Sequence, residues 1–414
     1  MQYQPVLDEH SASSPSSFTG SSSLGVAKAR RRCFIWLALV SLAATLSVPL
    51  GRFGGETAGL VKAWRARDSE CEDAYNKPGY IYRGEGPTDI RWISYDKPDF
   101  DSNPVTLENV LEPPLEKLVN APPSFNTWIR DAPDLASAPE LEFMRGRTVV
   151  MVGDRCVKVL RCVCSTSIDE VVSRDGNSHD RRNIEGFCAH HEAAGGVVTS
   201  KGGHVATSCH LPVLNFTMAS WFHYGLAEPS EDWYMSNLSP VDNPPPYFIE
   251  ERIDSVFVPD MLDIGQPDLI ILNSIYWDLR YVVYKASHEG WAWQLKRVTR
   301  PMTWRELEWH RRRLRTMVEL FRERFPGVPL MFRLGHSRVN NDHNGNVAIY
   351  QMNESAKAMM ARLGVPIFPW GPLLEGETDY SDVMHVKPVS QPTYLFGDMA
   401  LYYLRRAVNG WNKC

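Results

Sequence analysis

The chain has 414 residues, with 44 Lys and Arg against 49 Asp and Glu, a formal net charge of -5 and a sequence pI near 6.2. That length suits one large domain or two small ones, with a substantial core in either case. The near balance of charge excludes a surface built for polyanions, so no nucleic-acid partner is expected.

The first 27 residues are rich in Ser and poor in apolar residues, which predicts a disordered tail. Lys28-Ala29-Arg30-Arg31-Arg32 then abuts the uncharged run from Cys33 to Leu50. That run is long enough to cross a bilayer as a helix. Its basic flank keeps residues 1–32 cytoplasmic and sends the remainder across. The expectation is an uncleaved signal anchor at 33–50; small residues at Ala43, Ala44 and Ser47 leave a cleaved signal peptide as the alternative. Three sequons follow the run, at Asn215, Asn237 and Asn353, as expected of a translocated, glycosylated domain. Seven of the eight cysteines follow it too, and disulfides are expected in an oxidising lumen. Cys162, Cys164 and Cys188 with His190 and His191 match no standard metal spacing. Apart from the Asp-x-Asp triplet Asp99-Phe100-Asp101, nothing in the sequence signals a metal or nucleotide cofactor.

Residues 51–145 form a stem and leader, with turns at Pro113-Pro114, Pro122-Pro123 and Pro133. Trp92, Tyr95 and Phe100 suggest that part of it packs on the main domain. From 146 to 414 short apolar runs alternate with amphipathic stretches, the pattern of an α/β domain. Buried parallel strands are predicted at Thr148 to Val152, Leu269 to Leu272, Leu330 to Leu334 and Val365 to Phe368. Thr303 to Phe325 is predicted helical. Leu307, Leu314, Met317, Val318 and Phe321 lie on one face, and Thr303 with Glu306 forms a capping box. Val347 to Leu363 is a second helix, stopped by Gly364.

Functional groups in an open parallel sheet gather beyond the C-terminal ends of its strands. Gly153-Asp154-Arg155 follows the first strand and Asn273 the second. Arg333 and His336 end the third, and Asp382 and His385 follow the fourth. These blocks resemble the SGNH-hydrolase superfamily, in particular the membrane-anchored PC-esterase branch with the trichome-birefringence-like polysaccharide O-acetyltransferases. Gly153-Asp154 is similar to the start of its Gly-Asp-Ser block, Asn273 through Asp278 to its Asn block, and Asp382 to His385 to its Asp-x-x-His block. The resemblance implies a three-layer α/β domain with a central, mostly parallel sheet, preceded by the transmembrane helix and stem. It further implies His385 as general base, Asp382 as its partner, and an oxyanion hole from Asn273 and Gly225. Acyl transfer to, or removal from, a glycan in the secretory pathway, most simply the Golgi, would follow.

One position departs from the pattern. Arg155 replaces the expected Ser, and a guanidinium stays protonated and is no acyl nucleophile. A retained intron over 155–177 is one account. Arg155-Cys156-Val157 can be encoded with a splice-donor-like sequence and Asn177-Ser178 with an acceptor. Excision would join Asp154 to Ser178, restore Gly-Asp-Ser with Ser178 as nucleophile, and leave Cys71, Cys188, Cys209 and Cys414 beyond the anchor. The alternatives are a pseudoenzyme that binds a glycan or a partner without turnover, or an enzyme using Cys156. A third class, a glycosyltransferase, is raised by Asp99-Phe100-Asp101. Trp221, Trp277 and Trp370 lie near the blocks and are candidate sugar-stacking faces.

Overall fold

The computed structural model describes most of residues 72–411. Outside the described residues lie 1–71, 95–120, 155–178, 202–204, 236–239, 290–300, 338–342, 382–384, 412–414 and a few scattered positions. The candidate anchor, Arg155, Cys156, Ser178, Asp382, Asn237 and the Asp99-Phe100-Asp101 triplet therefore fall outside them. Among the described residues no helix is long and apolar enough to cross a membrane.

The strands are β1 (Gly79–Arg83), β2 (Ile90–Ser94), β3 (Thr148–Asp154), β4 (Val197–Ser200), β5 (Ala206–Leu211), β6 (Phe216–His223), β7 (Leu269–Leu272), β8 (Leu330–Arg333) and β9 (Ile367–Phe368). The principal helices are α1 (Phe125–Asp131), α2 (His179–His190), α3 (Val258–Ile264), α4 (Tyr276–His288), α5 (Trp304–Arg324), α6 (His343–Leu363) and α7 (Gln391–Asn409). A seven-stranded sheet runs in the order β4-β5-β6-β3-β7-β8-β9. Strands β6, β3, β7, β8 and β9 are mutually parallel, and β4 and β5 extend the sheet as an antiparallel hairpin.

Both faces of the sheet are covered, which is why its central strands read as unbroken apolar runs. Val149 and Met151 of β3 face a core shared with Ile184 and Phe187 of α2 and with Leu395, Met399 and Leu404 of α7. Val150 and Val152 face the opposite core, with Leu314, Met317 and Phe321 of α5 and Met359 of α6. The two-residue alternation along β3 thus separates the two outer layers. Helix α5 begins as predicted: Thr303 Oγ1 accepts from Glu306 N, and the Glu306 side chain returns to Thr303 N at 2.6 Å.

The compact unit runs from Cys71 to Cys414. Much of the leader is core. Leu141 and Met144 are fully buried, and Trp92, 7% exposed, donates Nε1–H to Ala74 O at 3.0 Å. Helix α1 docks on α7 through Asp398, which accepts Asn126 N–H at 2.7 Å and Ser124 Oγ–H at 2.8 Å. At the unit's two ends, Ala74 N donates to Tyr402 Oη at 3.2 Å, and the Tyr75 and Tyr402 rings lie 5.2 Å apart. A disulfide joins Cys188 of α2 to Cys209 of β5 across 21 residues, worth about 3 kcal/mol by loop closure. It takes Cys188 out of any metal site. His191 is committed too, bonded through Nε2 to Asn126 Oδ1 at 2.8 Å.

Candidate active site

The C-terminal ends of the parallel strands form one rim, and register orders the residues along it. Asp154 stands opposite His223 of β6. On the other side Val152 pairs with Leu272, so Asn273 follows beside Gly153, and Asn273 N continues the ladder to Val152 O at 2.7 Å. Leu272 pairs in turn with Phe332, which sets Arg333 next to Asn273. His223, the Gly153-Asp154 turn, Asn273 and Arg333 therefore span three strand spacings, about 15 Å. The chain leaves β3 toward β6 on one side and later returns to β7 on the other. In open α/β sheets such a reversal is where ligands are commonly bound.

The groups along the rim are tightly tied. Gly225 N–H donates to His223 Nδ1 at 3.1 Å, and His223 Nε2 lies 2.8 Å from Asn273 O. Those partners assign a neutral imidazole with its hydrogen on Nε2, and burial lowers its pKa in the same sense. Asn273 is fully buried. It donates one amide hydrogen to Arg333 O at 2.8 Å, while its Oδ1 has no hydrogen-bond partner. Gly225 has φ +81°, and a Cβ there would lie 2.8 Å from Asp278 Oδ1 and 2.9 Å from Trp277 Cβ, so the turn requires glycine. Asp278 braces it by accepting Leu226 N at 2.7 Å and Ser274 Oγ at 2.5 Å. In this structure, then, Gly225 N and one Asn273 amide hydrogen are donated within the protein.

Asp180, in the first turn of α2, lies directly over Gly153, where an added methyl would collide with its Oδ2. It pairs with Arg333, whose Nη2 is 2.8 Å from Oδ1 and 3.0 Å from Oδ2. The Oδ2 contact has hydrogen-bond geometry and the Oδ1 contact does not. Arg333 is 1% exposed, and its Nε and Nη1 find no acceptor among the described residues, at roughly 1–3 kcal/mol for each orphaned group. Burial raises the Asp180 carboxyl above its ordinary value, against the pull of Arg333 and His223. Asp180 went unseen in the sequence because its partner is 153 residues away.

His385 is buried, and its carbonyl accepts from Ser381 N at 2.8 Å and Ser381 Oγ at 3.1 Å. Ser381 Oγ also takes a hydrogen bond from Arg182 of α2. The His385 loop is thereby tied to the same helix that covers Gly153. Tyr380 pairs with Val386 across the loop and sets its ring 5.9 Å from that of His336. His336 follows β8, where its N–H donates to Tyr276 Oη at 3.1 Å and Tyr276 returns a bond to His336 O at 2.8 Å.

Two expectations need correction. Trp221, Trp277 and Trp370 are each at most 1% exposed. Trp221 donates to Asp260 Oδ2 at 2.7 Å and stacks on Phe257, while Trp370 packs on Phe396. They are core residues and offer no face to a sugar. Asn353 is 8% exposed, and its carboxamide clamps Gly335, accepting from N at 3.0 Å and donating to O at 2.7 Å. The folded domain leaves no Asn353 amide free for a glycan; Asn215, exposed at φ 47°, has no such constraint. Two cavities of about 450 and 590 Å³ meet at Trp128, Pro139 and Glu140. Arg147, just before β3, lines the smaller one, at the end of the sheet opposite the rim.

No family model matches the chain, and no curated protein matches it. Among solved structures it is similar to the lipase/acylhydrolase from Enterococcus faecalis at 13% identity and a TM-score of 0.32, covering 63% of this chain and 95% of that one. It is also similar to a putative GDSL-like lipase from Parabacteroides merdae ATCC 43184 at 10% identity and a TM-score of 0.30, covering 64% and 97%. Likenesses of that strength carry no argument about the reaction. What stands by itself is an α/β fold with a seven-stranded, mostly parallel sheet and a cluster of buried polar residues at its C-terminal rim.

Proposed function

We propose that the chain is an SGNH-type esterase or acyltransferase of the PC-esterase kind, acting on acyl esters of a glycan in the secretory lumen. His385 is the general base, Asp382 orients it, and Gly225 and Asn273 line the oxyanion position beside Asp154. The nucleophile is Ser178 in a chain from which residues 155–177 have been removed, and with Arg155 present turnover is lost. The observation that carries this reading is the contact of Asp180 with Gly153. Strand β3 ends and α2 begins at one point of the rim, and Ser178 immediately precedes that helix. Removing 155–177 therefore asks for a tight strand-to-helix turn at a place where the two elements already touch. The Cys188–Cys209 bridge supports an oxidising compartment, and the basic flank before residue 33 supports a type II anchor.

The test compares hydrolysis of an acetyl ester by the full-length chain and by the same chain lacking 155–177. The deletion is expected to raise turnover by several orders of magnitude, since losing such a nucleophile removes roughly a millionfold. Ser178→Ala and His385→Ala in the deleted chain should each abolish the gain. Activity indifferent to both substitutions would sink the proposal.

A binding module without turnover is the second reading. It is favoured by the engagement of Gly225 N–H by His223 and of the Asn273 amide by Arg333 O. Saturable glycan binding by the full-length chain, with no turnover in either chain, would select it.

A further inference from the structure

The buried guanidinium of Arg333 spends one nitrogen on Asp180 and leaves two without acceptors among the described residues. A guanidinium cannot shed its proton to relieve that state. Its neighbours do not fill it either. Asn273 addresses only the Arg333 backbone, and His223 is committed to Asn273 O and Gly225. Burial raises the Asp180 carboxyl above its ordinary value, against the pull of Arg333. The space over Gly153 is filled by a carboxylate and is so close that not even a methyl on Gly153 would fit beneath it. A planar group with two oxygens matches the flat face of the guanidinium, as the Asp180 carboxylate now lying against it does.

We propose that Arg333 is the receptor at this rim for a small carboxylate, the acid that hydrolysis of the ester by water releases along with the alcohol, and that Asp180 occupies its place in the unliganded protein. Substrate class rests on the acyl-ester reading above; the carboxylate site itself does not need turnover. On binding, the ligand's two oxygens take Arg333 N–H groups and the Asp180 side chain swings out with the first turn of α2. Arg333 then holds the acyl oxygen within the reach of the strand end, beside Asn273.

The experiment is isothermal titration of the full-length chain with sodium acetate at constant ionic strength set by chloride. Saturable acetate binding is expected, with phosphate failing to compete. Arg333→Met should weaken binding at least tenfold. Asp180→Asn, which removes the resident anion but keeps the side chain's shape, should tighten it several-fold. That second variant carries the test if Arg333→Met does not fold. No acetate binding by the native chain, binding unaffected by Arg333→Met, binding unchanged or weaker in Asp180→Asn, or equal competition by phosphate would each overturn the assignment. Acetate binding that persists while the deleted chain shows no esterase activity would end the catalytic reading and leave this site standing.

Discussion

Two buried groups that both bond Asn126 in the leader–body contact titrate in opposite senses. Burial pushes the Asp398 carboxyl up to about 7 and the His191 imidazole down to about 3. Between about pH 4 and 7 the native state holds a proton on Asp398 that the unfolded chain has lost, so this group's stabilisation falls as pH rises. Between about pH 3 and 6.5 the unfolded chain protonates a histidine that the native state keeps neutral, so that contribution grows as pH rises. Each amounts to about 4 kcal/mol across its window, and over the shared range they offset one another. Asp398→Asn should therefore make stability climb with pH between 4.5 and 6.5, and His191→Gln should make it fall. Urea midpoints at those two pH values check both slopes; equal midpoints in either variant would show that the group remaining in it does not titrate as stated.

At the scale of the element, helix α5 rests on a local signal that the structure reproduces. Thr303→Ala removes the cap accepting from Glu306 N and should cost about 1 kcal/mol, read as a lower urea midpoint with an unchanged slope. Its limits were legible to within a residue because periodicity and cap chemistry sit in the same stretch. Strands β3, β7 and β8 were legible for a related reason: with helices on both faces, the residues at their centres are all apolar. Strand β6 is just as buried, yet it went unread, since Thr217, Ser220 and His223 interrupt the apolar run. Their polar groups are satisfied from neighbours, as when Thr217 Oγ1 meets His210 Nδ1 at 3.0 Å. Helix α6 begins at His343, four residues before Val347, because its first turn carries Asn and Gly in place of apolar residues.

Across the whole molecule, chain order and the rule of strand ends were enough to anticipate that Gly153, Asn273 and Arg333 share a rim. The Asp180–Arg333 pair was not legible, because its partners meet only through the tertiary path from α2 to β8. The docking of residues 72–94 was legible at Trp92 alone, and that of 121–144 was not, because Pro-rich flanks resemble a linker while the buried aromatics of both segments belong to the core. That docking brings the start of the folded unit onto its last helix: Arg406 Nη1 reaches Glu72 O at 3.5 Å and Tyr402 meets Ala74. Head and tail are neighbours. A circular permutant follows, joining residue 411 to residue 72 by a few glycines and opening the exposed Pro326–Gly327 turn. It should fold with the same cystine bridge and a melting temperature within a few degrees of a linear 72–411 chain; failure to fold would mean that the leader must be threaded before the sheet closes.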